Sequence, residues 1–162
     1  MFSAVDVFLA SARALRFVRE EPRNSNAGQA VEAFLAVCGL GKGAPWCMAF
    51  VHFIGRSCFG ALWPLTVSAS CQTTFEDAQA KGCVIATSEL RAGDLLFVWH
   101  PSLNRYGHVA IVAGTRVTAG VPTIEGNTND GGSRDGWGVF SRVRATTPHD
   151  AGVRWTTALR MS

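Results

Sequence analysis

Lysine is almost missing from this chain of 162 residues, which has only Lys42 and Lys81. The formal charge of +3 is mild and rests on scattered arginines. No Lys/Arg cluster with interleaved aromatics occurs, which argues against nucleic acid as a partner. Apolar runs are short, and none approaches the ~20 residues that a membrane-spanning helix needs. A cleavable export signal is also lacking. Such signals put basic residues before the apolar stretch, whereas in MFSAVDVFLASARALRFVREE Asp6 interrupts and Arg13, Arg16 and Arg19 come after. The expectation is synthesis in the cytoplasm without a cleavable signal, and no membrane span. Repeats and Pro/Ser-rich linkers are missing too, so residues 1–162 read as a single domain, long enough to bury a core without staples.

Five cysteines are present (Cys38, Cys47, Cys58, Cys71, Cys83), but no C-x-x-C pair. An odd, unpaired set argues against both a zinc site and a disulfide framework. With 48% hydrophobic and 17% charged residues the composition is globular, and most of these thiols read as small buried hydrophobes.

Helical spacing dominates the first half. Val5, Phe8, Leu9, Ala12 and Leu15 recur on one face of a helix over 3–20. Asn24 and Asn26 offer caps for a second helix in AGQAVEAFLAVCG, which stops at Gly39. A Gly-rich loop, GLGKGAP, leads through Pro45 into a third helix, WCMAFVHFIGRSC. A fourth covers 71–81, with Ser70 as its cap. The second half reads as strands: 94–99, 107–114 and 121–126, then GVFSRVRA and VRWTTALR. Helices followed by an antiparallel sheet make an α+β order.

A catalytic thiol needs thiolate character and access. Cys47 lies just inside a helix start, where unpaired N–H groups and the helix dipole favour an anion and a backbone N–H can meet a developing oxyanion. Cys38 and Cys58 fall late in helices, where the dipole has the wrong sign, and Cys83 follows a glycine in a loop. Cys71, also near a helix start, is the reserve candidate. Of the four histidines, His52 reads as a packed or solvated helix residue, and His100 and His149 as surface residues. His108, in YGHVAIV, stands at the start of an apolar strand and so needs a partner. On the next strand, TIEGNT places Glu125 and Asn127 two residues apart, hence on one side of an extended strand. Either one can hold the imidazole, as the third member does in hydrolytic triads. Asp94 reads as a turn cap at the start of its strand.

Taken in order, GAPWCMAFV, RAGDLLFVW, GHVAIV and IEGNTN resemble the CHAP domain, the cysteine- and histidine-dependent amidohydrolase/peptidase family. The resemblance covers about residues 24–144, including NSNAGQAVEAFL and GGSRDGWGVFSRVR. It implies a papain-like fold, with the helices packed on an antiparallel sheet of about five to six strands. It also implies Cys47 as nucleophile, His108 as general base, Glu125 as acidic orienter and Asn127 as an accessory polar residue. Trp46, Trp99 and Tyr106 become aromatic candidates for a substrate groove, with core packing as the alternative for each. Some members bind calcium through acids before the nucleophile; VCGLGKGAP has no carboxylate, so neither a metal nor another cofactor is expected. Nor does the chain have room for a separate wall-binding module.

The function implied is hydrolysis of an amide in bacterial peptidoglycan, an anionic polymer that a mild positive charge suits. A phage lysin and a secreted antibacterial effector both fit. Either acts on the wall after lysis or non-classical secretion, an effector together with secretion machinery and an immunity protein. Two other classes use the same scaffold. One is a papain-like acyltransferase or a deamidating or cross-linking toxin, and the other is a non-catalytic wall-binding or phage structural component.

Overall fold

The computed structural model describes residues 1–128 and 136–159. Helix α1 (Ala4–Ala14) opens with a capping box in which Ser3 and Asp6 satisfy each other's backbone N–H groups. The 3–20 helix expected from periodicity ends early, because Val18–Glu20 are drawn alongside the last long strand. Val139 N–H donates to Val18 O (3.0 Å) and Glu20 N–H to Trp137 O (2.8 Å). Helix α2 (Gln29–Val37) is capped by Gly28. Asn24 and Asn26 do not cap it; both lie in left-handed backbone, in the turns leading up to Gly28.

Helix α3 (Cys47–Phe59) is the central element, with Met48, Ala49, Phe50, Val51 and Ile54 buried on several faces. A helix apolar around most of its circumference belongs inside a core. Helix α4 (Cys71–Ala80) starts at Ser70, whose side chain accepts from Thr73 N–H.

The strands are β1 (Val84–Ile85), β2 (Leu95–His100), β3 (Arg105–Val112), β4 (Val121–Thr128), β5 (Gly138–Arg144) and β6 (Ala151–Val153). They form one antiparallel sheet in the order β1-β6-β2-β3-β4-β5. The fold is therefore α+β, with N-terminal helices on a six-stranded antiparallel sheet, consistent with a papain-like arrangement. Strand β1 has no counterpart in the sequence reading. VRWTTALR is not a strand throughout: β6 ends at Val153 and a short helix α5 (Thr156–Leu159) follows. Trp155 causes the change of direction by plugging into the core, fully buried, with its indole N–H on Gly93 O (2.8 Å). Asp94 accepts from Arg91 N–H across the turn before β2, as a cap does, and also takes Arg154 in a two-pronged ion pair (3.0 and 2.8 Å).

Two features of the sheet position the site. Among the described residues, β3 and β4 pair through Ile111↔Ile124 and Val112↔Thr123; beyond this, side chains of His108 and Glu125 join the strands. A Cβ on Gly126 would come within 2.9 Å of Phe50 Cβ, so β4 lies tight against α3 at this point.

Candidate active site

Cys47 is the first residue of α3, after Trp46 in the capping position. The preceding loop is held by Gly43, in a backbone conformation that favours glycine (φ 101°). Gly43 N–H donates to Asn26 O (2.8 Å), which ties the loop to the segment before α2. The sulfur lies at the base of a cleft whose walls include Leu40, Pro45, Cys71, Arg105, Tyr106 and Asn127. Its pKa is held well below the usual thiol value. The Cys71 thiol beside it is the largest cause; His108 and the Met48 N–H add to the effect, and together they overcome burial, which opposes the charge.

His108 comes from β3 and is nearly inaccessible. Its Nε2 is 2.7 Å from Glu125 Oε1. That leaves Nδ1, buried and without an ordinary hydrogen bond among the described residues, as the ring nitrogen available to the thiol. Burial works against a charged ring here. The Cys47 sulfur and the Glu125 carboxylate outweigh it and raise the pKa to about 9. Thiolate and imidazolium each favour the other's charged form.

Glu125 is fully buried and saturated with donors. Oε1 receives His108 and Arg144 Nη2 (2.6 Å); Oε2 receives the Thr123 hydroxyl (2.6 Å) and Arg144 Nε (3.1 Å). Burial alone would raise its pKa, but His108 and then Arg144 hold it far below the usual carboxylate range. Arg144, from β5, was missed by sequence reasoning. Its visible signal was the basic alternation in SRVR, which by itself reads as a solvated strand face. Thr123 was missed as well, though it stands two residues before Glu125 on the same strand, with its side chain on the same side.

Asn127 does not reach the histidine. The two-residue argument fails because the strand is irregular between Glu125 and Thr128, and Asn127 has a left-handed φ of 55°. With its amide oxygen turned to α3, it accepts from Trp46 N–H (3.2 Å) and donates to Gly136 O (2.8 Å). It thus fastens the segment just before Cys47 and lines the cleft. The structure brings Cys47, His108 and Glu125 together and puts Asn127 at the helix start.

Of the groove aromatics, Tyr106 lines the cleft and Trp99 packs edge-on against it (centroids 5.1 Å, 83°). Trp46 does not belong to a groove. It is fully buried against Phe34, with its indole N–H on Glu20 (2.8 Å). His52 is also core: Trp63 donates to its Nδ1 and Thr74 sits at Nε2, and burial lowers its pKa to about 4. His149 is exposed, and His100 pairs with Ser102 near the surface. Among the described residues no cluster of three or more His, Cys, Asp or Glu side chains could hold a metal, and no helix is long and apolar enough to cross a membrane.

A family model for the CHAP domain matches residues 39–127. This span covers more than half of the chain and runs from the loop before Cys47 to Asn127. The chain belongs to the CHAP family. At family level this means an amidohydrolase/peptidase-type hydrolase dependent on cysteine and histidine. The CHAP match ends before Arg144, so that contact to Glu125 lies outside the matched span. No curated protein matches the chain.

Proposed function

We propose that this CHAP protein hydrolyses an amide bond of peptidoglycan through a Cys47–His108–Glu125 mechanism. The observation that carries the reading is the His108–Glu125 contact beside Cys47, whose charges favour a thiolate–imidazolium pair. Cys47 thiolate attacks the amide carbonyl carbon, and N–H groups at the start of α3 receive the oxyanion. The imidazolium passes its Nδ1 proton to the nitrogen as the C–N bond breaks, leaving a thioester and a free amine. His108 then takes a proton from water, the hydroxyl adds to the thioester, and the C–S bond breaks to release the acid and restore the thiolate. Arg105, exposed at the cleft and the one basic side chain among its described lining residues, suits a substrate that bears carboxylates, as wall stem peptides do.

Turbidity of purified sacculi tests the reading. Wild type clears the suspension, and Cys47→Ala lowers the rate on the order of 10⁴–10⁶-fold; equal clearing by both would sink it. For delivery we place the protein as a phage lysin or a secreted antibacterial effector. A neighbouring gene product that binds the chain and blocks clearing supports the effector, and clearing unaffected by any neighbour supports the lysin.

A further inference from the structure

The hydrolytic cycle uses one sulfur, yet the cleft holds two. Cys71 opens α4 as Cys47 opens α3, and the two helix starts converge until the sulfurs are 3.7 Å apart. Both thiols are largely buried, at 6% and 4% exposure, but both line the same cleft, which gives a small reagent a route to them. A disulfide needs its sulfurs at about 2.05 Å, so closure asks for an approach of under ~2 Å between two short side chains. Among the described residues the other three cysteines show no such sulfur neighbour. Cys58 meets the Ser11 hydroxyl, and burial makes Cys38 and Cys83 poorer thiolates than an ordinary cysteine.

We propose that Cys71 is the resolving thiol for Cys47, and that the two form a site of reversible modification by peroxides. The Cys47 thiolate attacks a peroxide oxygen and the O–O bond breaks. Cys47 becomes a sulfenic acid and the departing hydroxide takes a proton to leave as water. Cys71 sulfur then attacks the Cys47 sulfur and the S–O bond breaks. Hydroxide leaves with the thiol proton as a second water, and the disulfide remains. Two thiols lose two electrons in all and one hydrogen peroxide becomes two waters. While the bond is closed the nucleophile is blocked. Without Cys71 the sulfenic acid meets more peroxide and passes to sulfinic acid, which thiols do not reverse.

The proposal shares with the proposed function only the reactive thiolate at Cys47, and mass readouts separate the two. Wild type is treated with hydrogen peroxide, with and without later dithiothreitol, then examined by intact mass, peptide mapping and sacculus clearing. The expected product has lost two hydrogens and yields a linked Cys47–Cys71 peptide. Clearing is lost with the link and returns in full with dithiothreitol. Cys71→Ser instead gains two oxygens at Cys47 and does not recover. Oxygen addition at Cys47 in wild type without a linked peptide would overturn the proposal, as would a Cys71→Ser that recovers as fully as wild type. Should that variant fail to fold, Cys71→Ala replaces it; should both fail, the linked peptide in wild type decides alone. A linked peptide in a protein that never clears sacculi would sustain the proposal while the proposed substrate fails.

Discussion

Glu125 has two carboxylate oxygens and four hydrogen bonds, and this crowding sets the chemistry expected of His108. Replacing it with glutamine keeps the shape and removes the charge. The imidazolium then loses its buried counter-ion, so the alkaline limb of kcat/KM should fall from near pH 9 towards or below 6.5. Turnover should drop on the order of 10²–10⁴-fold. Arg144 acts in the opposite sense on the same ring. It keeps Glu125 ionised and aimed, but its Nη2 shares Oε1 with His108 Nε2, and a like charge that close disfavours the imidazolium. Arg144→Gln should therefore move the alkaline limb upwards, by up to about one unit, while lowering kcat more than it changes KM. A pH profile separates this positioning role from a simple loss of folding, which moves no limb. Cys47 and His108 were legible because each needed a special place in the chain, a helix start and the beginning of a buried strand. Arg144 was not, because one more arginine on an alternating strand looks solvated until the strand beside it is known.

At the scale of elements, the site depends on how closely β4 approaches α3. Gly126 permits that approach, since any Cβ would run into Phe50. Gly126→Ala should push the strand away from the helix that carries Cys47 and cost about 1–3 kcal/mol of stability. Its kcat should fall further than Thr123→Ala lowers it, because the displaced strand also carries Glu125 and Asn127. Denaturant midpoints and initial clearing rates check both halves. Periodicity found α1 to α4 and the long strands, since each buries one stripe or face. It failed where tertiary pairing won: at Val18–Glu20, drawn to β5, and at Trp155, whose burial turns the chain after β6. The left-handed backbone at Asn127 was hidden for a related reason. Two-residue alternation holds only while a strand stays regular, so Glu125 and Asn127 looked equivalent in sequence and are not in space.

For the whole molecule, the ion pair also shapes stability against pH, and the two partners contribute with opposite sign. His108 has a raised folded pKa, so its contribution is complete below 6.5 and is lost as pH rises to about 9. Cys47 has a lowered folded pKa, so its contribution is complete above its usual value of 9.0 and is lost as pH falls. Between 6.5 and 9 one gain offsets the other loss. Urea midpoints should therefore be nearly flat across that window and decline as pH falls below it. His108→Gln should flatten the acid-side decline, because Cys47 then titrates closer to its unfolded value. A steady loss of wild-type stability from 6.5 to 9 would contradict the pairing.

The thiol mechanism on a wall amide is tested most directly by mass spectrometry of muropeptides after digestion with wild type and with Cys47→Ala. The wild-type digest should contain fragments with a new free amine and a new carboxylate at one defined amide, heavier by one water in total, and the variant digest should contain none. Identical fragment patterns from both proteins, or wild-type fragments cut at a glycosidic bond, would contradict it.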